Sequence, residues 1–240
     1  MAYRFACKME PGVGCRLIIA IDGPGGAGKT SVGREVARRL GYSFLDTGML
    51  YRALTWLAIC KGIGLYDGPR LASLARSVEM ELRPAPPEAM EPSILIVNGE
   101  DVTGALRRRD VEEGVSIVSQ VAEVREALIG LQRRIAAQGG VVVAGRDIGT
   151  VILPNAHVKV YLDASLEERA RRRQRQLQEM GQKVSLDEVM AQLRARDRLD
   201  SQREVAPLRP ASDAVIIYTD GMSLEQVIEK VISLVEERCS

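Results

Sequence analysis

The chain has 240 residues, of which 46% are hydrophobic and 27% are charged. This is the composition of a globular protein that is large enough to bury a substantial core. The net charge of +1 provides no general attraction to nucleic acid or to an anionic membrane surface.

The few cysteines and histidines argue against stabilisation by a metal or by disulfides. The four cysteines are scattered and the only histidine is His157, which argues against a zinc site and a disulfide framework. No apolar run approaches the roughly 20 residues of a membrane span. We therefore expect a cytoplasmic protein with no nucleic-acid or membrane partner, in which residues 1–15 form a flexible N-terminal extension.

The first predicted element is a strand over residues 17–21, followed by a glycine-rich loop and a segment with the apolar spacing of a helix. The loop matches the phosphate-binding pattern G-x-x-x-x-G-K-[ST]. Strand, loop and helix together predict an ATP site. Its expected contact residues are Gly23, Pro24, Gly25, Gly26, Ala27, Gly28, Lys29, Thr30 and Ser31.

Each residue type in this loop has a separate chemical reason. Glycines let the backbone adopt φ > 0, so that consecutive N–H groups converge on phosphate oxygens. Lys29 is expected to reach the β and γ phosphates, and the Thr30 hydroxyl is expected to ligate Mg²⁺. An ordinary glycine-rich turn is the alternative, but the flanking strand and helix disfavour it.

Along the rest of the chain, short apolar runs alternate with helical patterns. The runs cover residues 43–46, 141–145, 158–162 and 214–218. This order predicts an α/β fold with a parallel sheet and helices on both faces. Capping boxes mark three helix starts, at Ser165 with Glu168, Ser185 with Glu188 and Ser223 with Gln226.

The middle of the chain has a different pattern. Residues 84–92 are too rich in proline for a regular helix, and they separate two β-like pieces at 78–82 and 94–98. Asn98-Gly99 is a hairpin signal. Residues 63–105 therefore read as a small β-rich insert.

Two polar groups follow strands, where a parallel sheet places its ligands. Asp46 and Thr47 follow the second strand, and they either cap a helix or contact a ligand. Arg52 lies one turn further on, in an otherwise apolar helix. Arg146 and Asp147 lie between two glycines, where they can present a cation and an acceptor to one ligand or simply form an ion-paired turn.

Two further groups lie on predicted helices. The run 169–175 contains several arginines, which cannot all face one ligand because neighbours on a helix point about 100° apart. Some are therefore solvated, while one such as Arg172 could close over a triphosphate as part of a lid. Arg196, Asp200 and Arg203 share a helical face, with a solvated face carrying ion pairs as the alternative.

Together these segments resemble the bacterial cytidylate kinases over residues 17–237. The resemblance lies in IDGPGGAGK, LDTGMLYRAL, VNGEDVTGALR, SQVAEVREAL, VVVAGRDIGTVILPNAHVKVYLDAS and RDRLDSQREVAPLRPASDA. It implies a three-layer P-loop fold with a five-stranded parallel sheet in the order 2-3-1-4-5. It also implies a nucleoside monophosphate kinase domain over 16–240, with its core at 16–62 and 106–240, the insert in the monophosphate-binding region and a mobile lid at about 169–187.

The resemblance also implies an activity, namely Mg²⁺-assisted transfer of a phosphoryl group from ATP to CMP or dCMP by a monomeric enzyme. Lys29, Arg146 and Arg172 are the expected catalytic residues. The acceptor phosphate is expected on arginines matching Arg52, Arg146 and Arg203, cytosine on residues matching Ser119, Arg125 and Asp147, and the ribose on residues matching Arg196 and Asp200, with Asp46 and Thr47 lining the same pocket.

Two other interpretations stay open from the residues alone. A kinase of the same fold could use UMP, AMP or a non-nucleotide acceptor such as shikimate. A nucleotide-switched binding protein or an arginine-rich nucleic-acid module belongs to a different class. The chain lacks an N/T-K-x-D guanine-binding run, and its near-zero net charge disfavours a nucleic-acid ligand.

Overall fold

The computed structural model describes residues 16–84, 93–137, 139–179 and 181–239. The predicted extension at 1–15 and most of the proline-rich stretch lie outside the described residues. The strands are β1 Ile18–Asp22, β2 Ser43–Asp46, β3 Met80–Pro84, β4 Ser93–Val97, β5 Glu100–Asp101, β6 Val141–Ala144, β7 Val158–Asp163 and β8 Val215–Tyr218. The α-helices are α1 Lys29–Leu40, α2 Thr47–Cys60, α3 Gly68–Ser77, α4 Arg109–Val118, α5 Ala122–Ala136, α6 Leu166–Glu179, α7 Leu186–Ser201 and α8 Leu224–Cys239.

Five of the strands form a parallel sheet in the order β2-β6-β1-β7-β8. Because β3, β4 and β5 belong to a second sheet, the order counted within the parallel sheet alone is 2-3-1-4-5, as predicted. β1 is the central strand, so the loop that follows it leaves the middle of the sheet. This position places a ligand of that loop at the carboxyl edge, where neighbouring strands also end.

Helices cover both faces of the parallel sheet, which confirms the three-layer α/β architecture. Side chains alternate along β1, with Ala20 in the core formed with α2, α3, α4 and α5, and Ile19 and Ile21 in the core formed with α1 and α8. Burial on both faces explains why this strand reads as a continuous apolar run. A third, smaller core holds α6 against α7 through Ala170, Leu177, Val189 and Leu193.

The insert contains a three-stranded antiparallel sheet in the order β3-β4-β5. Asn98 and Gly99 both have positive φ, 49° and 86°, and join β4 to β5 as the hairpin signal predicted. The insert also contains α3, which the β-rich prediction did not include. The Asp67 side chain caps this helix by accepting from the Arg70 N–H at 3.2 Å, and Leu71, Leu74 and Ala75 bury its inner face.

Two of the three predicted capping boxes are complete. Ser185 with Glu188, and Ser223 with Gln226, exchange side-chain and backbone hydrogen bonds in both directions. At Ser165 the hydroxyl accepts from the Glu168 N–H, but the Ser165 N–H donates to Asp220 instead. Among the described residues, no helix is both long and apolar enough to cross a membrane.

Candidate functional site

The phosphate-binding loop lies between β1 and α1, as the sequence predicted. Gly23, Gly26 and Gly28 have φ of 149°, 79° and 94°, a region that favours glycine. A Cβ at Gly23 would lie 2.1 Å from the Leu162 carbonyl oxygen, so the loop tolerates no side chain there. Gly28 is the N-cap of α1, and the positive end of that helix faces into the loop.

Lys29 is buried at the base of this loop, and its Nζ donates to the Pro24 carbonyl oxygen at 2.7 Å. Burial and the nearby Arg146 guanidinium lower its pKa well below the ordinary value of lysine. A bound phosphate would supply the negative charge that this buried ammonium group lacks.

A hydroxyl and a carboxylate meet beside the loop. Thr30 Oγ1 donates to Asp46 Oδ2 at 2.8 Å, while Asp46 Oδ1 accepts from the Gly48 N–H at 2.9 Å. Asp46 therefore caps α2, which confirms the first of its two interpretations, and it also reaches the phosphate loop, whereas its contact with a ligand stays a prediction. The Thr47 hydroxyl is buried and donates to the Ala144 carbonyl oxygen at 3.0 Å, which ties α2 to the end of β6.

One cavity of about 720 Å³ extends from the phosphate loop across the carboxyl edge of the parallel sheet. Every residue predicted to contact CMP lines it: Asp46, Thr47, Arg52, Ser119, Arg125, Arg146, Asp147, Arg196, Asp200 and Arg203. Of the residues predicted to contact ATP, the cavity wall includes 25–31. The cavity also passes along α6 to an apolar end at Met222, Leu224 and Val227.

Positive charge is concentrated in this cavity. Its described lining contains ten arginines and Lys29 against six carboxylates. Arg196 Nε is buried and has no hydrogen-bond partner among the described residues. Burial, Arg146 and Arg52 together lower the pKa of Arg196 to about 10, although Asp200 and Glu112 oppose them. The three arginines thus repel one another around a point where an anion would be stabilised.

The predicted base-reading residues form a buried network. Arg125 pairs with Asp147, with only 2% and 5% of their side chains exposed, and it donates to the Ser119 carbonyl oxygen at 3.1 Å. Arg203 pairs with Asp200 and donates to Ser119 Oγ at 3.3 Å. These bonds connect the five residues in one buried network, in which Nε of Arg125 and Nε of Arg203 have no hydrogen-bond partner among the described residues.

Arg146 joins that network to the phosphate loop. Its Nε donates to Asp200 Oδ2 at 2.8 Å and its Nη1 donates to the Gly23 carbonyl oxygen at 3.1 Å. The turn that carries it is held by Asp22, whose carboxylate accepts from the Ile148 and Gly149 N–H groups, both at 2.7 Å. Burial raises the pKa of Asp22 to about 6 despite these bonds.

The arginines of α6 do not share one surface, in agreement with the helical geometry. Arg172 donates to Glu168 and to the Thr219 hydroxyl and carbonyl oxygens, each at 2.9 Å, so it lies at the β8 end of the cavity. Arg169 donates to the Gly25 carbonyl oxygen at 3.1 Å and to Asp197 at 2.6 Å. The guanidinium group of Arg169 therefore fixes the phosphate loop against α7.

Sequence reasoning did not single out several residues of this site. Glu112 contacts Arg52 and Arg169 contacts Gly25, whereas Asp22 holds the turn that follows Arg146 and Asp147. Arg169 and Arg173 appeared only as parts of an arginine run. The sequence could have indicated Asp22, because its carboxyl group directly precedes the first glycine of the phosphate loop. Glu112 contacts Arg52, which is 60 residues away, so no spacing along the chain could indicate it.

Known proteins are similar to this chain over most of its length. The family model described as Cytidylate kinase matches residues 19–237. A cytidylate kinase of Geobacillus kaustophilus (strain HTA426) is 47% identical over 223 residues, which are 93% of this chain and 98% of that protein.

The chain spans less than half the length of another relative. A bifunctional pantoate ligase/cytidylate kinase of Synechococcus sp. (strain JA-3-3Ab) is 49% identical over 229 residues, which are 95% of this chain but 42% of that protein. Among solved structures, an uncharacterized protein from Eubacterium ventriosum ATCC 27560 aligns with a TM-score of 0.50 at 12% identity, over 93% of this chain and 99% of that one. At this identity the likeness concerns the fold alone.

Proposed function

Because this chain belongs to the cytidylate kinase family, we propose that it transfers the γ-phosphoryl group of ATP to the phosphate of CMP or dCMP. The placement of the acceptor rests on one observation. Arg52 and Arg146 crowd Arg196 beside the phosphate loop, and Arg196 has an unpartnered buried Nε among the described residues. A phosphate group bound among the three arginines relieves their repulsion.

The donor binds on the phosphate loop in this proposal. The backbone N–H groups of residues 23–31 surround its phosphates, and Lys29 contacts the β and γ groups. The nucleobase of ATP occupies the apolar end of the cavity, beside Met222 and Leu224. A hydrogen bond to Thr219 holds the Arg172 side chain at that end of the cavity. Its predicted action on the transferring phosphoryl group therefore requires a change in its side-chain conformation.

The donor set at Thr30 and Asp46 fits a magnesium ion. Mg²⁺ prefers hard oxygen ligands, and protein sites commonly supply one or two of them while phosphates and water supply the rest. Here a hydroxyl and a carboxylate lie 2.8 Å apart next to the loop. Magnesium bound there would neutralise charge on the donor phosphates.

The acceptor phosphate lies between the phosphate loop and the base-reading network. Arg146 contacts both sides, so it can hold the acceptor in line with the donor. Arg196 lies close enough to Arg52 and Arg146 to be repelled by both. We therefore add Arg196 to the proposed ligands of the acceptor phosphate. Arg203 is bonded to Ser119 and Asp200, and these bonds support a position for it at the boundary between the phosphate, the ribose and the base.

Cytosine is selected by hydrogen-bond chemistry. Its N4 amino group is a donor and needs an acceptor such as Asp147 or the Ser119 hydroxyl, whereas N3 and O2 accept from an arginine such as Arg125. Uracil has an acceptor, O4, in place of the N4 amino group and a donor, N3–H, in place of the acceptor N3. Its groups would leave buried polar groups of the site unpaired, at a cost of about 1–3 kcal/mol each. Discrimination against UMP of about tenfold or more follows from this difference.

Phosphoryl transfer needs positioning and charge neutralisation rather than a general base. The acceptor phosphate is already largely ionised near neutral pH. Lys29 and Arg146 stabilise the charge that spreads over the transferring group. Closure of α6 and the following residues to about 187 as a lid excludes water and suppresses ATP hydrolysis. We further propose that the protein acts as a cytoplasmic monomer.

A single substitution tests the acceptor site. Arg146→Ala removes the side chain that we propose to contact both substrates. The transition state should lose about 2–4 kcal/mol of stabilisation, so kcat/KM should fall roughly 30- to 1,000-fold for every monophosphate offered. Steady-state ADP release measures this. Values equal to those of the unsubstituted protein would show that Arg146 has a structural role only.

A further inference from the structure

Glu112 is a carboxylate inside the most cationic wall of the cavity. It lies in the first turn of α4, where its Oε1 accepts from Arg52 Nε at 2.8 Å. Its Oε2 lies 3.7 Å from Arg173 Nη2. The three side chains are only 21–29% exposed, so these contacts are partly shielded from solvent.

These contacts connect two different parts of the structure. Arg52 belongs to α2, which carries proposed acceptor-site residues, whereas Arg173 belongs to α6 within the proposed lid. Both arginines line the cavity. Glu112 therefore holds a phosphate-binding arginine and a lid arginine with a single carboxylate.

Glu112 carries a full negative charge at neutral pH. Burial raises its pKa, but Arg52, Arg196 and Arg173 outweigh burial and leave the pKa below the ordinary value of glutamate. An anion in this position repels an incoming phosphate and competes with it for Arg52. A wall built only to bind phosphate would have no use for such a charge.

We propose that Glu112 is a specificity-determining residue that weakens the binding of phosphate groups which bring no nucleobase. Inorganic phosphate must displace or tolerate this carboxylate with its charge alone. A nucleoside monophosphate meets less of this repulsion, because its contacts to Ser119, Arg125 and Asp147 position it with less dependence on Arg52. The inference rests on the acceptor site proposed above.

Glu112→Gln tests this proposal. Glutamine keeps the size of the side chain and an acceptor for Arg52 while removing the charge. The probe is inorganic phosphate at pH 8, used as an inhibitor competing with CMP at saturating Mg·ATP, which keeps the phosphate loop occupied. The inhibition constant for phosphate should fall at least fivefold, and the KM for CMP should fall by a smaller factor.

Glu113→Gln is the matched control. Glu113 is the next residue of α4, is 65% exposed and pairs with Arg109 on the same helix, so its substitution should change neither constant. Glu112→Asp retains the charge and should keep the inhibition constant within twofold of the unsubstituted value. Thermal unfolding of each variant checks that the fold is intact.

The outcomes separate this proposal from the acceptor site itself. An unchanged or higher inhibition constant for phosphate in Glu112→Gln would overturn it, because Glu112 would then only orient Arg52. An equal effect in Glu113→Gln would overturn it as well. Arg52→Ala tests the acceptor site independently, and an unaltered KM for CMP in that variant would refute the site and this inference together.

Discussion

Replacing Arg196 by methionine should stabilise the unliganded protein and at the same time weaken its use of CMP. Burial, and after it repulsion by the Arg146 and Arg52 guanidinium groups, lowers the pKa of Arg196 to about 10. Methionine keeps much of the aliphatic volume that packs in this position. The substitution thus removes a buried charge and its repulsion by Arg146 and Arg52 without leaving a large cavity.

The size of the stabilisation follows from the pKa. A change of one in pKa corresponds to about 1.4 kcal/mol, so a lowering of this size amounts to about 3 kcal/mol for a fully buried group. Arg196 is partly exposed, and solvent screening reduces the gain to about 1–2 kcal/mol. For a protein of this length, the melting temperature should rise by about 2–8 °C.

The loss of function has the opposite sign. Removing one charged partner of a bound phosphate costs about 2–4 kcal/mol, which corresponds to a roughly 30- to 1,000-fold lower kcat/KM for CMP. Thermal unfolding without ligands and steady-state ADP release measure the two effects separately. Arg198→Met is the control, because Arg198 is exposed on the same helix and its side chain donates to Gln202.

The combination of signs makes this prediction demanding. A folding defect lowers stability and activity together, whereas the repulsion described above predicts that they move apart. An Arg196→Met protein that is less stable and retains its kcat/KM would refute the reasoning. Arg196 would then be a structural residue of α7.

Three further predictions concern other parts of the site. Lys29→Met should fold and lose most of its kcat, because it removes the buried ammonium group that we propose to neutralise the donor phosphates; near-normal turnover of the purified variant would refute the phosphate-loop assignment. Asp147→Asn replaces the buried partner of Arg125 with a group that also donates, so the CMP:UMP ratio of kcat/KM should fall, and an unchanged ratio would exclude Asp147 from base recognition. Burial raises the pKa of Asp22 in the folded state from 3.8 to about 6. The folded state therefore holds the proton of Asp22 more tightly than the unfolded state does, so about 3 kcal/mol of stability is lost as pH rises from about 4 through 6. Denaturant unfolding at several pH values measures this loss, which should be absent in Asp22→Asn; a slope that persists in the variant would contradict it.

The parallel sheet could be predicted because its physics is local. Strands buried on both faces are apolar runs, and the phosphate loop needs glycines at fixed positions, so both features are visible in the order of residues. The helix α3 was missed because its segment is short and lies between β-like pieces. Its cap at Asp67 and the apolar residues Leu71 and Leu74 were nevertheless present in the sequence.

The individual residues of the site could be predicted from the sequence. The interactions between their charges could not be predicted. Arg52, Arg146 and Arg196 were each identified, but their mutual repulsion depends on how α2, β6 and α7 meet. The same holds for Glu112, whose partners come from α2 and α6. Ion pairs between distant segments are set by the tertiary structure, and a single sequence has no spacing that reveals them.

The most direct test of the proposed function is the rate of ADP release from Mg·ATP with CMP, dCMP, UMP, AMP and shikimate offered separately. We expect strong turnover with CMP and dCMP, at least tenfold weaker use of UMP and none with shikimate. Preference for UMP or AMP would retain the kinase and contradict the base-reading network at Ser119, Arg125 and Asp147. Release that does not depend on any acceptor would contradict the placement of a monophosphate among the arginines.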